Sequence, residues 1–294
     1  MKTKIIVNPA AGGGRPLKIL PELIENLKKI GLAPDWQITS QPKEASQLAQ
    51  RAADEGCQLV VAVGGDGTVN EVVNGLADSS SILAVIPAGS GNDFFKMLNL
   101  PTKIPGICQN IAQKNCLTVD LGLVNNYHFI NSVGLGFAGE TAAHFKRNRR
   151  TGGLLGYLKA VLKIFFQAKP VKIYLKSEKI NSEENIFLAA ISNGHSMGGG
   201  FKLTPLASVT DGLLDVCLID YRHPLRLLPH LPRAITGHHL KLPFVKMFHC
   251  REVVIKCKSP QTAHFDGEVV QIKELNVKIK HKKLKVIGGT STHL

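Results

Sequence analysis

The sequence predicts an α/β domain followed by a β-rich domain, and three observations carry that reading. Short apolar strands alternate with helical patterns through residues 1–125. Three of those strands run directly into glycine-rich turns, NPAAGGG, GGDG and PAGSGND. From Val171 onward the pattern becomes mainly strands, as in VKIYLKS and IFLAAISNG.

The first domain is organised around Leu59–Leu76. Leu59 to Val63 reads as a strand, Gly64 and Gly65 turn sharply, and Val69, Val72, Val73 and Leu76 mark one face of a helix. A strand, a glycine turn and a helix start aim backbone N–H groups at one space, which suits phosphate. Asp66 stands in that turn, and a carboxylate beside bound phosphate is repelled unless a cation lies between them. The stretch therefore predicts a nucleotide site with Mg²⁺.

Lys4 to Val7, followed by NPAAGGGRP and a helix over Leu17–Ile30, is a second unit of the same kind. It lacks the Gly-Lys-Ser/Thr of a Walker A loop. Pro34 to Thr39 is the next strand, with Thr39 and Ser40 at its C-terminal end, where ligands of open α/β sheets collect. A helix is expected over Pro42–Glu55, then a strand over Ile82–Ile86 that ends in PAGSGNDF. There Ser90 offers a hydroxyl, and Asn92 and Asp93 are expected to cap a short helix toward Leu98. In LTVDLG, Asp120 falls near the end of a strand, as a turn residue or a site residue.

A chain of 294 residues suffices for two domains. No apolar run reaches the length of about eighteen that a spanning helix needs. The start, MKTKIIVNP, lacks the longer apolar core of a signal peptide, so a cytoplasmic protein is expected. The six Cys residues form no close pair and read as core thiols, and the His residues show no HExxH spacing. His238 and His239 would point apart on a helix.

The charge is uneven. Residues 1–125 carry 11 Lys/Arg and 11 Asp/Glu, whereas residues 126–294 carry 25 and 11, so the whole excess of +14 lies in the second part. Simple solubility, nucleic acid or an anionic membrane would each account for it. No aromatic-interleaved basic strand or DNA motif is present, so nucleic acid is not an expected partner.

The domain boundary is placed at Asn125, giving domains 1–125 and 126–294, with the last strand able to return to the first. NN at 125–126 is a hairpin turn. Lys146, Arg147, Arg149 and Arg150 form a cationic cluster before Leu154, Leu155, Leu158, Val161, Leu162, Phe165 and Phe166 at helical spacing. That pattern suits either a helix lying on an anionic membrane or a buried helix with a basic cap. Asp215 interrupts an apolar strand over Leu213–Ile219, and Pro224 to Ile235 reads as a helix. Strands are expected over Arg251–Cys257, Ile272–Ile279 and Lys283–Ile287. Between the first two, Asp266, Gly267 and Glu268 form a turn. Its two acids either share one rim or belong to a plain surface β-turn.

GGDGTVNEV (64–72), PAGSGNDF (87–94), VDLG (119–122), NGHSMGGGFKLTP with DGLLDV (193–216) and DGE (266–268) together resemble the diacylglycerol-kinase-like lipid kinases of bacteria, related to sphingosine and ceramide kinases. GGDGT alone is shared with NAD kinases; the later motifs favour the lipid branch. The resemblance implies an α/β nucleotide-binding domain, a β-sandwich domain and transfer of the γ-phosphoryl group of ATP, with Mg²⁺, to a lipid hydroxyl, most simply diacylglycerol. It implies that Asn8, Pro9, Ala10, Ala11 and Gly12, with Gly65, Asp66, Gly67, Thr68, Val69, Asn70 and Glu71, hold the nucleotide phosphates. Thr39 and Ser90 would also contact nucleotide. Asp211, with backbone oxygens near Ser208 and Leu213, is similar to a structural Mg²⁺ site. Asp66 would place the catalytic Mg²⁺ with support from Asp120, and Asp266 or Glu268 would act in base catalysis. Many relatives read GFDA where this chain reads GFAG, so Ala138 offers no carboxylate.

The expected partners are a lipid substrate and peripheral contact with an anionic membrane, and a homodimer is compatible with the chain. A long-chain-base kinase, an NAD kinase and a non-enzymatic nucleotide-dependent lipid-binding module are the alternatives.

Overall fold

The computed structural model describes residues 1–148, 153–198 and 200–289. The chain divides into two compact units, Met1–Leu121 with the residues from Lys280 onward, and Gly122–Ile279.

The first unit alternates strand and helix: β1 (Thr3–Val7), α1 (Arg15–Lys29), β2 (Asp35–Ile38), α2 (Glu44–Asp54), β3 (Leu59–Gly64), α3 (Asp66–Leu76), β4 (Ile82–Pro87), α4 (Asp93–Met97) and α5 (Ile104–Ala112). β2, β1, β3 and β4 form a parallel sheet in that order. Parallel strands covered by helices are apolar on both faces. Accordingly Ile5, Ile6, Val7 and Val60 to Val63 are fully buried. α1 supplies Leu20, Leu23 and Leu27, at the i, i+3, i+7 spacing of one helix face. α2 and α3 pack closely because Gly75 has no side chain; a Cβ there would strike the Ser46 carbonyl. The pairings Val7↔Val63 and Val63↔Ile86 bring the C-terminal ends of β1, β3 and β4 level with one another. That alignment sets the three glycine turns side by side.

The second unit is antiparallel. Its elements are β6 (Tyr127–Phe129), β7 (Ser132–Gly136), α6 (Phe137–Arg147), α7 (Gly153–Gln167), β8 (Val171–Ser177), β9 (Asn181–Ser192), β10 (Leu214–Asp220), α8 (Pro224–Leu227), α9 (Leu231–Thr236), β11 (Val245–Cys250), β12 (Glu252–Phe265) and β13 (Glu268–Ile287). β5 (Cys116–Val124) leads in from the first unit, and β13 runs back to it, where Val286 pairs with Leu83 of β4. β9 and β12 each serve two layers. Their Asn181–Ile186 and Val253–Cys257 parts pair with β8, whereas their Leu188–Ser192 and Ala263–Phe265 parts pair with β7. The result is a β-sandwich whose core includes Phe129, Val133, Ile173, Ile191, Val216, Ile255 and Leu275. On another face α6, α7, α8 and α9 cover a second cluster around Phe165, Phe187 and Leu227, with Phe137 stacked on Phe187 at 5.0 Å.

Several elements differ from expectation. Pro224–Ile235 is not one helix. Pro229 and Pro232 remove backbone donors, and the segment breaks into α8, a 3-10 turn at Leu228–His230 and α9. The three late strands are two long ones, β12 and β13, and β11 is an additional strand. Asp120 does not end a strand but sits fully buried in the middle of β5. Asn125 and Asn126 make the expected hairpin turn, both with positive φ. Cys57, Cys108, Cys217 and Cys250 are buried thiols, whereas Cys116 is exposed. Arg149 and Arg150 lie outside the described residues, as do the side chains of Leu154 and Leu155.

His264 of β12 faces Gly134 of β7, and a Cβ at position 134 would collide with its ring. Burial pushes the imidazole pKa down to about 4. Above the ordinary value of about 6.5 the ring is neutral in both folded and unfolded chains. As pH falls from there to about 4, the unfolded chain takes up a proton that the folded chain refuses, so stability is lost across that window. Urea unfolding should show a stability decline from this group on the order of 2–3 kcal/mol between neutral pH and pH 4. In His264→Asn that part of the pH dependence should disappear.

Candidate active site

In the first unit the glycine turns meet as their level strand ends require. After β1, Gly12, Gly13 and Gly14 all have positive φ, a left-handed run that glycine adopts without strain. A Cβ on Gly12 would run into the Ala88 carbonyl after β4. Likewise, a Cβ on Gly89 would run into Gly65 after β3. Asn8 ties the first turn to the second. Its Nδ2 donates to Thr68 Oγ1 at 2.9 Å, its backbone N–H donates to Val63, and its Oδ1 receives the Ala10 N–H at 3.0 Å. Pro9, Ala10, Ala11 and Gly12 thus lie on a turn held beside that of Gly65 and Gly67. Glycine turns that open a helix are a suitable lining for an anion.

Asp66 opens α3 and is partly buried. Its Oδ1 accepts the Phe94 N–H at 3.2 Å. The start of α4 is therefore held by Asp66, not by Asn92 or Asp93, the caps expected from sequence. Asn92 instead exchanges hydrogen bonds with Gly89. Burial raises the Asp66 pKa, and the neighbouring carboxylate of Asp93 raises it further. Asp93 is itself buried and bound by Lys96 at 3.1 Å. Two acids crowded together beside these turns suit a divalent cation. Asp93 was legible in principle, since PAGSGND repeats the pattern of an acid after a glycine turn, but it reads equally as a helix cap.

The other residues of this unit have distinct surroundings. Thr39 is buried, its N–H and hydroxyl both directed to the Val7 carbonyl. Ser90 is exposed on the β4 turn. Val69 and Asn70 are buried inside α3. Glu71 points its carboxylate at the start of α2, where it accepts the Ala45 N–H at 3.2 Å. Asp120 is engaged within β5: His281 Nδ1 lies 2.8 Å from its Oδ1, and the Lys282 N–H donates to the same oxygen at 2.6 Å.

In the second unit Asp266 and Gly267 form the two-residue turn joining β12 to β13, both with positive φ, while Phe265 pairs with Glu268. The two acids of DGE do not share one task. The Asp266 carboxylate accepts the backbone N–H of Ile130 at 2.6 Å, of Asn131 at 3.0 Å and of Ser132 at 2.7 Å. It fastens the hairpin tip to the Ile130–Ser132 backbone. Asn193 docks on the same backbone, donating its N–H to Asn131 and its Nδ2 to Ile130. Glu268 is 41% exposed at its side chain and meets Lys146 Nζ at 2.8 Å. Lys146, the first residue of the cationic cluster read from the sequence, is this partner. Ala138 lies at the start of α6 and packs on the Phe165 cluster.

Ser208, Asp211 and Leu213 lie on the loop before β10. Asp211 is exposed and its Oδ1 accepts the Leu213 N–H at 3.0 Å. Close behind, Asp215 is 1% exposed, with His249 Nδ1 at 3.2 Å. Burial pushes its pKa up to about 6, opposed by His249 and assisted by Asp211. A buried acid short of donors, next to an exposed one, fits a hard cation held by oxygen atoms. Among the described residues no group of three or more His, Cys, Asp or Glu is placed to hold a metal, so carbonyl oxygens would complete such a site.

Converging glycine turns with an acid pair, carried by an α/β unit that is joined to a β-sandwich, define a phosphoryl-transfer class of protein. Comparison with known proteins specifies the class. Residues 2–124 match the diacylglycerol kinase catalytic domain, and residues 131–288 match the YegS C-terminal NAD kinase beta sandwich-like domain. A diacylglycerol kinase of Staphylococcus epidermidis is 30% identical over 274 residues, covering 91% of this chain and 85% of that protein. A diacylglycerol kinase of Bacillus subtilis is 28% identical over 272 residues, covering 91% and 89%. A crystal structure of a diacylglycerol kinase from Bacillus anthracis has the same fold, with a TM-score of 0.78 over 98% of this chain and 97% of that one at 21% identity. The chain belongs to the diacylglycerol kinase catalytic domain family and is an ATP-dependent lipid kinase.

Asp266→Asn replaces an acceptor by an amide that cannot satisfy the donors now bound to both oxygens. It should destabilise the protein by about 2–4 kcal/mol in urea unfolding. Glu268→Gln should leave the unfolding midpoint close to that of the unchanged protein.

Proposed function

We propose that the lipid acceptor is diacylglycerol, converted to phosphatidic acid, and that Glu268 takes the proton of the acceptor hydroxyl. The observation that carries the second part is the division between the two acids of DGE. Asp266 is committed to three backbone donors, which stabilise its ionised form and occupy its oxygens. Glu268 is solvent-accessible, and its partner among the described residues is an exposed lysine. A hydroxyl is a poor nucleophile at neutral pH, and a positioned carboxylate assists by accepting its proton as the bond to phosphorus forms. The substrate class is supported by relatives named diacylglycerol kinase over most of their length.

In this reading the turn Asn8–Gly12, through the Gly12 N–H, and the backbone N–H groups of Gly65–Gly67 and of the first turn of α3 bind phosphate oxygens and orient the γ-phosphoryl group. Thr39 and Ser90 contact the nucleotide at the neighbouring strand ends. Asp66 and Asp93 would hold Mg²⁺, which supplies charge neutralisation of the phosphates. A second cation, held by Asp211 and the carbonyls of Ser208 and Leu213, would be structural. Asp120 keeps β5 joined to the His281–Lys282 backbone, and Glu71 keeps α2 against α3, so both act by positioning.

The test is ATP, Mg²⁺ and purified protein against diacylglycerol, sphingosine and NAD in parallel. Diacylglycerol should be phosphorylated fastest. Glu268→Gln should lower kcat by about 10²–10⁴-fold. Asp66→Asn should lower the rate by a similar factor while its Tm holds or rises, because the repulsion with Asp93 is removed. Full activity in Glu268→Gln would refute the assignment of the base.

A further inference from the structure

The helical layer of the second unit has an outer face that its own packing leaves uncovered. On α7, Leu158, Leu162 and Phe166 recur every four residues and are 47%, 40% and 48% exposed. That spacing places them in one row on the helix. Phe165, on the inner side, is fully buried with Leu227 of α8 in a single cluster that also holds Leu231 and Ala234 of α9. Beyond α8 and α9 the outward residues are again large and apolar. Leu225 is 62% exposed and Ile235 is 54% exposed. The loop carrying Leu206, which is 73% exposed, is joined to α9 by the Lys202 N–H donating to the Ala234 carbonyl at 3.0 Å.

The same segments carry no acid at all. Residues 141–177 and 221–251 contain Lys and Arg but neither Asp nor Glu. Lys159 and Lys163 flank the α7 row, and Arg222, Arg226 and Arg233 flank Leu225 and Ile235; all five are exposed. Pro229 and Pro232 keep α8 and α9 short, so this wing is a chain of brief turns and not an amphipathic helix, which is why hydropathy alone does not reveal it.

We infer that this face, with α8–α9 as a second wing beside α7, docks on an anionic bilayer. The inference rests on the reading of the substrate as a lipid. Apolar side chains outermost with cations around them match the order of a leaflet, acyl chains beneath anionic head groups. A symmetric pair of these chains meeting through this face would set like charges against each other. A bilayer meets both requirements of the face, burial of the apolar row and neutralisation of the cations.

The full chain should float with phosphatidylcholine vesicles containing one-third phosphatidylglycerol, and less so with added salt. Leu225→Ser with Ile235→Ser should weaken that partitioning by about tenfold or more. Arg226→Gln with Arg233→Gln, changes at exposed positions that the fold does not use, should weaken it by about tenfold on anionic vesicles and leave pure phosphatidylcholine unaffected. Both double variants should phosphorylate a short-chain diacylglycerol dispersed in detergent at the unchanged rate. Flotation of both variants equal to the unchanged chain, or no flotation of that chain, overturns the inference. So does a dimer that the variants convert to monomer with flotation intact. Flotation that responds to the variants while no lipid accepts phosphate upholds the surface and refutes the kinase substrate.

Discussion

The β-sandwich unit depends on one carboxylate. Asp266 takes three consecutive backbone N–H groups, from Ile130 to Ser132, and in doing so joins residues more than a hundred positions apart. Those amides lie at the entry to β7. Leaving them unmet inside the unit would cost about 1–3 kcal/mol for each group. The carboxylate meets that need and aims the hairpin tip at the same time. Glu268, two residues on and already on the return strand, meets a different partner, the Lys146 ammonium. The acid that fastens the tip and the acid proposed as the base are different residues.

The first unit makes the opposite choice. Asp66 stands half-buried beside the buried Asp93, whose charge makes Asp66 harder to ionise. Natural folds tolerate such pairs where charge is needed for function, and perturbed acids gather at reacting sites for that reason. The surrounding scaffold is unusually committed to holding them. Gly12 against Ala88, Gly65 against Gly89, and Asn8 against Thr68 leave no room for side chains or slack in the turns. The geometry of the three turns is set by backbone packing at the level ends of parallel strands.

Local signals carried the α/β half well. The runs KIIV and LVVAV are apolar without alternation, the mark of strands buried on both faces, and each is followed by a glycine turn and a helical face. The Asn125–Asn126 turn was equally plain, because asparagine is among the few residues that accept left-handed backbone. The β-rich half was legible as strands but not in its pairing. That one strand could run from Glu268 to Ile287, or that β9 and β12 could each serve two layers, leaves no local trace. Pro229 and Pro232 did announce the broken helix, since neither can donate to a helical turn.

What residue order determined, then, was chemistry: which turns could bind phosphate, which acids were available, and where the charge lay. Tertiary structure decided the use of each acid. Asp66 and Asp93 lie 27 positions apart, and only the alignment of β3 with β4 makes them neighbours. β5 brings Asp120 to His281, and the packing of α2 on α3 brings Glu71 to the Ala45 N–H, contacts that the order of residues does not reveal. The reason is physical. A carboxylate's role follows from the donors and charges around it, and those are supplied by residues distant in the chain.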